Sequence, residues 1–217
     1  MGKHYGNLQR VKDGRRTYAI TPNIVGGFIQ PDQLETIAKV TKKYNGVLKI
    51  TSGQRIMITR LQEEDLPKIW EELDMEPAVV SQNSIKNVEM CPAGFCKRMK
   101  YNTIGISMKL YNKYFQMEMP CRTKIAVSGC RNACGGVYSK DVGVIADTDG
   151  SLMVVAGGSA GYFPRMADIV AKGLTEAETL EVVDKIFDYY KAEANPGEKL
   201  GDFIDRIGVE QFKAVCK

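Results

Sequence analysis

Ser128-Gly129-Cys130-Arg131-Asn132-Ala133-Cys134-Gly135-Gly136 places two thiols four residues apart, among glycines and beside a cation. Lys124-Ile125-Ala126-Val127-Ser128 reads as a strand that runs straight into it. A second pair of thiols lies upstream in Met90-Cys91-Pro92-Ala93-Gly94-Phe95-Cys96. A two-plus-two set of this kind would, if it holds a cluster, place that cluster between two loops of one folded domain.

Three readings of the four thiols stand open on the residues alone. Structural zinc favours close CxxC knuckles, whereas the spacings here are C-x4-C and C-x3-C with 33 residues between the pairs. Buried free cysteine packs as a small hydrophobe, which suits Cys121 and Cys216 but not a glycine-flanked pair after a strand. A [4Fe–4S] cluster takes four thiolates, and nearby glycines let backbone amides approach its sulfurs. The run of three close cysteines and a Cys-Pro found in simple ferredoxins is missing.

Composition narrows the classes. The chain has 217 residues, six cysteines, one histidine and a net charge of +4. That charge is too small to argue for nucleic acid. No run of eighteen apolar residues suggests a membrane span, and the start, Met1-Gly2-Lys3-His4-Tyr5, lacks the apolar core of a secretory signal, so a cytoplasmic location is expected. Cysteines in that setting are better read as metal-binding than as disulfides. With His4 as the lone imidazole, metal chemistry falls to thiolates. Lys97, Arg98, Lys100, Arg122, Lys124 and Arg131 crowd the cysteine region, where Glu118 is the single acid from Cys91 to Cys134. Such a cationic stretch reads either as a solvated face or as a pocket for an anion.

The periodicity predicts an α+β chain. Residues 1–15 read as polar and loosely held. A strand over 16–21, a helix from Pro31 to Asn45-Gly46, strands over 47–51 and 55–59, a helix over 63–73 and a short strand at Ala78-Val79-Val80 give the order β-α-β-β-α-β of a ferredoxin-like unit. Ser81-Gln82-Asn83-Ser84 marks a boundary, giving a half-domain over 1–80 and a second domain over 81–217. In the second domain Ile104–Met108, 124–128, 142–146 and 151–155 read as strands, the last two joined at Asp149-Gly150. Thr175-Glu176-Ala177-Glu178 is a capping box opening a helix with Leu180, Val183, Phe187 and Tyr190 on one side. Leu200, Phe203, Ile204 and Ile207 mark a shorter helix ending at Gly208.

Taken in order, these segments resemble the sirohaem-dependent sulfite and nitrite reductases. The resemblance runs from about Tyr18 to Phe212. Its strongest part is Met119-Pro120-Cys121-Arg122-Thr123-Lys124 leading through the strand to Cys130 and Cys134. Lys86-Asn87-Val88, Thr51-Ser52-Gly53-Gln54-Arg55-Ile56, Gly157-Gly158 with Pro164-Arg165, and Glu198-Lys199-Leu200-Gly201-Asp202-Phe203 support it. The family commonly has five residues between its first two cysteines, against four here, and many members carry two fused repeats, against one.

The resemblance implies a ferredoxin-like half-domain followed by a sulfite-reductase-haemoprotein-like α/β domain carrying the cluster. It implies [4Fe–4S] ligands Cys91, Cys96, Cys130 and Cys134, with Cys134 also bridging to sirohaem iron. It implies a cofactor shell of Arg98, Arg131, Asn132, Gly157, Gly158 and Arg165, and catalytic cations Arg122, Lys124, Arg55 and Lys86 over a small oxyanion. The implied reaction is the six-electron reduction of sulfite to sulfide, with nitrite to ammonia equally compatible. An iron–sulfur electron-transfer or regulatory protein without sirohaem is the alternative. No G-x-G-x-x-G fingerprint is present, so electrons are expected from a separate ferredoxin or reductase subunit. A homodimer is the assembly that would help one repeat enclose the cofactor.

Overall fold

A computed structural model describes residues 3–12 and 14–216. The chain divides into two compact units, Met1–Gln82 and Asn83–Lys217.

In the first unit β1 (Asn7–Lys12), β2 (Arg15–Ile20), β3 (Val47–Ile50) and β4 (Ile56–Leu61) form an antiparallel sheet in the order β1-β2-β4-β3. Helices α1 (Pro31–Lys43) and α2 (Leu66–Leu73) complete the unit. Pro31 starts α1 where its missing N–H costs nothing. The apolar stripes of α1 (Ile37, Val40) and α2 (Leu66, Ile69, Leu73) share a core with Ile20, Ile58 and Leu61 of the sheet.

Two expectations fail in this unit. Residues 7–12 are a strand rather than a loose lead-in; Leu8 and Val11 remain exposed, so pairing with β2 leaves no burial signal in the sequence. Ala78-Val79-Val80 forms no strand. The bridge there joins Pro22 and Pro77, with the Ala78 N–H donating to the Thr21 carbonyl and the Asn23 N–H to the Glu76 carbonyl. Neither proline has an N–H, so the ladder cannot extend through them.

The second unit is built on a five-stranded sheet in the order β5 (Ile85–Met90), β6 (Thr123–Ser128), β7 (Val142–Ala146), β8 (Leu152–Ala156) and β9 (Asp168–Leu174). The pairs β5–β6 and β6–β7 are parallel; β7–β8 and β8–β9 are antiparallel. Every residue of β7 and β8 is buried, as expected for apolar runs covered on both faces.

Parallel β5 and β6 need a crossover, and α3 (Ile104–Tyr114) supplies it. The structure therefore corrects the strand expected at Ile104–Met108. Five residues alternate by accident there, whereas Ile106, Leu110 and Tyr114 recur every four and are buried, together with Ser107. Helix α4 (Glu176–Glu193) opens on the predicted capping box: the Glu178 N–H reaches Thr175 Oγ1, and the Thr175 N–H reaches Glu178 Oε2 at 2.8 Å. Helices α5 (Leu200–Ile207) and α6 (Val209–Cys216) bring Phe203 and Phe212 against Tyr189 of α4. Among the described residues no helix is long and apolar enough to cross a membrane.

Candidate functional site

The parallel register sets the two cysteine loops side by side. Met90 stands opposite Val127, so Cys91 leaves β5 where Gly129 and Cys130 leave β6. The Cys91 N–H still donates to the Val127 carbonyl at 3.1 Å, and the Lys100 N–H to the Gly129 carbonyl at 2.8 Å. Gly129 is required at this seam. A Cβ there would stand 2.8 Å from the Ala93 Cβ and 3.1 Å from the Tyr101 carbonyl oxygen, so the first cysteine loop lies directly on the second. The turn holding Cys130 and Cys134 closes on itself through Ala133 N–H to the Cys130 carbonyl, with Ala133 at φ +43°. Ser128 Oγ donates to the same carbonyl at 3.0 Å, and Asn132 Nδ2 donates to Cys134 Sγ at 2.8 Å.

Cys91 and Cys130 are half-buried; Cys96 and Cys134 are exposed. Among the described residues no three His, Cys, Asp or Glu side chains gather tightly enough to hold a single metal ion. A cluster spaces its thiolates wider than one ion does. Four thiols on two loops in backbone contact, with one sulfur already accepting an N–H bond, are a donor set that fits such a cluster.

A second feature occupies the amino ends of the same parallel strands. A cavity of about 170 Å³ is lined by Arg122, Lys124, Lys140 and Lys199, with Asp141 and the backbone turn from Gly158 to Gly161. Its size suits a small ion. Burial pulls Lys124 below the usual lysine range, and the Lys140 charge adds to it. Burial does the same to Lys86, followed by the Arg122 and Lys124 charges. Three expected cations thus crowd one another. Arg122 and Lys124 are two apart where β6 begins, which directs them to one side of the strand.

Lys140 is fixed by both oxygens of Glu89 at 2.7 Å. The Asp141 carboxylate accepts the Lys124 N–H at 2.8 Å. Burial pushes the Asp141 carboxyl up to about 6, opposed by that hydrogen bond and by the charges of Lys199 and Lys124. Gly158 is dictated by backbone packing, since a Cβ would meet the Tyr138 and Lys140 carbonyl oxygens at 2.3 and 2.6 Å.

Apart from Arg55, the site residues expected from sequence therefore fall into two sets. Cys91, Cys96, Cys130, Cys134, Arg98, Arg131 and Asn132 gather at the carboxyl ends of β5 and β6. Lys86, Arg122, Lys124, Gly157, Gly158 and Arg165 gather at the amino ends. From Lys124 to Ser128 the strand alone spans about 13 Å. Arg131 is engaged by Asp147 at 2.6 Å, and Arg98 is exposed. Arg165 is held by Asp168, Asp205 and the Gly157 carbonyl. Arg55 is buried in the first unit. Lys140, Asp141 and Lys199 were missed as cavity residues. Only Lys199 carried a signal, as part of the Glu198–Phe203 stretch.

Comparison with known proteins follows the same division. Residues 81–217 match the family described as "Nitrite and sulphite reductase 4Fe-4S domain", and residues 9–76 match the "Nitrite/Sulfite reductase ferredoxin-like half domain". The chain is 30% identical over 208 residues to "Sulfite reductase, assimilatory-type" of Nitratidesulfovibrio vulgaris, covering 95% of this chain and 94% of that one. It is 32% identical over 213 residues to a "Nitrite reductase [NAD(P)H]" of Bacillus subtilis, of which it spans 26%. In fold it resembles dissimilatory sulfite reductase I (TM-score 0.80, 15% identity, 93% of this chain and 69% of that one). It also resembles the NirA protein of Mycobacterium tuberculosis (TM-score 0.77, 19% identity, 94% and 40%). With both domain types matched in order and once each, the chain belongs to the nitrite and sulphite reductase family of oxidoreductases as a single-repeat member with an iron–sulfur domain.

Proposed function

We propose that the chain is a sirohaem- and [4Fe–4S]-dependent reductase that carries sulfite to sulfide in six electrons, with nitrite to ammonia chemically equally compatible. The observation that carries this reading is a small cavity with four cations in a member of this reductase family. Cys91, Cys96, Cys130 and Cys134 would hold the cluster, and Cys134 would face the tetrapyrrole. When bound, the metal centres supply electrons singly to the anion.

The rest is done by side chains. Arg122 presents a fork suited to an oxyanion, and Lys124 a compact charge that can also give up a proton. Arg55 and Lys86 are the further catalytic cations of the reading. A tetrapyrrole rich in carboxylates needs paired cations and N–H groups when it is buried. Arg98, which is exposed, and Arg131 and Asn132 in the Cys130–Cys134 turn would supply such groups beside the cysteines. The Gly157-Gly158 turn and Arg165 are the corresponding groups at the other end. Electrons come from a separate donor protein, in the cytoplasm, where thiols stay reduced.

The separation of the two sets along β6 adds a partner to the proposal: a second copy, whose Arg122 and Lys124 face the cysteine loops of the first. The experiment mixes Cys134→Ser chains with chains carrying Arg122→Ala and Lys124→Ala, each inactive alone. In random dimers half are mixed, and each has one intact site of two, so activity returns to about one quarter of wild type. No recovery, with mixed dimers present, places both sets in one copy. Full activity of either variant alone removes those residues from the reading.

A further inference from the structure

The cavity holds one group that an anion site would not be expected to contain. Asp141 immediately precedes β7 and lines the same space as Arg122 and Lys124. Its carboxyl group is held in place: Oδ2 accepts the Lys124 N–H at 2.8 Å, and the Asp141 backbone carbonyl accepts the Gly157 N–H at 2.7 Å. A carboxylate at that position would repel an incoming oxyanion, unless it carries a proton.

We propose that Asp141 is a further catalytic residue of the oxyanion cavity, protonated when the anion is bound, donating a hydrogen bond to an anion oxygen and delivering its proton to that oxygen as it departs. The inference rests on the oxyanion reading of the cavity. In the transfer the O–H bond at Asp141 breaks with its electron pair left on the carboxylate, and an O–H bond forms on the leaving oxygen. The S–O or N–O bond breaks with its electron pair on the departing oxygen, which leaves as hydroxide; the electrons that reduce the central atom come from the donor protein. Solvent at the cavity mouth restores the Asp141 proton.

The surroundings agree with this role. Arg122 and Lys124 face Asp141 from β6 and the residue before it, Lys199 from the residue before α5, and Lys140 from the preceding position. Tyr190 of α4 feels the Asp141 charge. Lys140 is already tied to both oxygens of Glu89 on β5, so its charge is largely answered. Despite these cations, burial raises the carboxyl to about 6. A bound anion adds a like charge and raises it further. Asp141 then takes up a proton on binding. The guanidinium of Arg122 cannot act as a proton donor.

The test is nitrite binding to the oxidised holoenzyme, followed by calorimetry in buffers of different ionisation enthalpy. Nitrite stays a monoanion throughout the range used, so any proton taken up goes to the protein. Just above pH 6 we expect proton uptake, and a nitrite Kd that rises by up to tenfold per pH unit. Asp141→Asn keeps an oxygen for the Lys124 N–H. It should still bind nitrite, keep its cluster iron, and lose both the uptake and the pH dependence. Wild-type uptake that persists in D141N overturns the inference, as does the absence of uptake in wild type. Should D141N fail to accumulate, Asp141→Ser takes its place, since it removes the carboxyl and leaves a hydroxyl oxygen for the Lys124 N–H; proton uptake that persists in it overturns the inference. If neither nitrite nor sulfite binds the wild-type holoenzyme, the oxyanion reading fails and this inference fails with it.

Discussion

Glu89 and Lys140 form the most deeply buried ion pair described in the protein, with side chains 5% and 13% exposed and both carboxylate oxygens at 2.7 Å. Lys140→Met removes the cation and leaves Glu89 enclosed on β5 without its partner. Breaking a buried pair from one side costs about 3–5 kcal/mol. For a chain of this length each kcal/mol moves the melting temperature by roughly 2–4 °C, so a drop of about 6–20 °C is expected. The double variant Glu89→Met with Lys140→Met removes both charges. It should recover most of that loss, because an apolar pair of similar volume is often as stable as the ion pair it replaces. The assay is thermal unfolding followed by circular dichroism on samples matched for iron content. A K140M variant within about 2 °C of wild type would refute the reasoning, since less than 1 kcal/mol would then be at stake. A double variant as unstable as the single would refute it too, because the loss would then come from packing and not from a stranded charge.

Two further outcomes follow from the same geometry. Gly129→Ala puts a methyl group 2.8 Å from the Ala93 Cβ, which forces the two cysteine loops apart; purified protein should keep its far-ultraviolet dichroism and lose cluster iron and labile sulfide. Glu198 is held by the Arg206 guanidinium at 2.7 and 2.8 Å and by the Asn195 N–H at 2.8 Å, and its carboxyl is drawn from 4.5 down to about 2. A depressed carboxyl stabilises the fold fully above its unfolded value and loses that contribution as pH falls through the folded one. Melting temperatures of Glu198→Gln should therefore fall less steeply than those of wild type between pH 4.5 and 2.

The α4 capping box and three strands of the five-stranded sheet, β6, β7 and β8, were legible because their signals are local, whereas β5 and β9 were not expected from the sequence. Thr175 and Glu178 are three residues apart, and β7 and β8 are unbroken apolar runs. The helix at Ile104 was misread for the same reason in reverse, since its period of four shows only when Leu110 and Tyr114 are included. Strand β1 escaped notice because Leu8 and Val11 stay exposed. The cysteine pairs stand out in the sequence, yet their seam at Gly129 depends on the parallel register of β5 and β6. The cavity is less legible still. Arg122, Asp141 and Lys199 come from three distant points of the chain, and only the packing of β6 beside β7 and the turn after β8 brings them together. Their separation from the cysteines by the length of β6 is likewise a property of the sheet that no motif announces.

The central claim is that four thiolates and a tetrapyrrole share this chain. The visible spectrum of the protein purified without air, with iron, zinc and labile sulfide counted on the same sample, tests it most directly. The account predicts red-region bands of a chlorin-type tetrapyrrole together with labile sulfide and about five iron atoms per chain, four in the cluster and one in the haem. A brown protein with labile sulfide and no tetrapyrrole bands would contradict it in favour of an electron carrier, and a colourless protein holding zinc would contradict both.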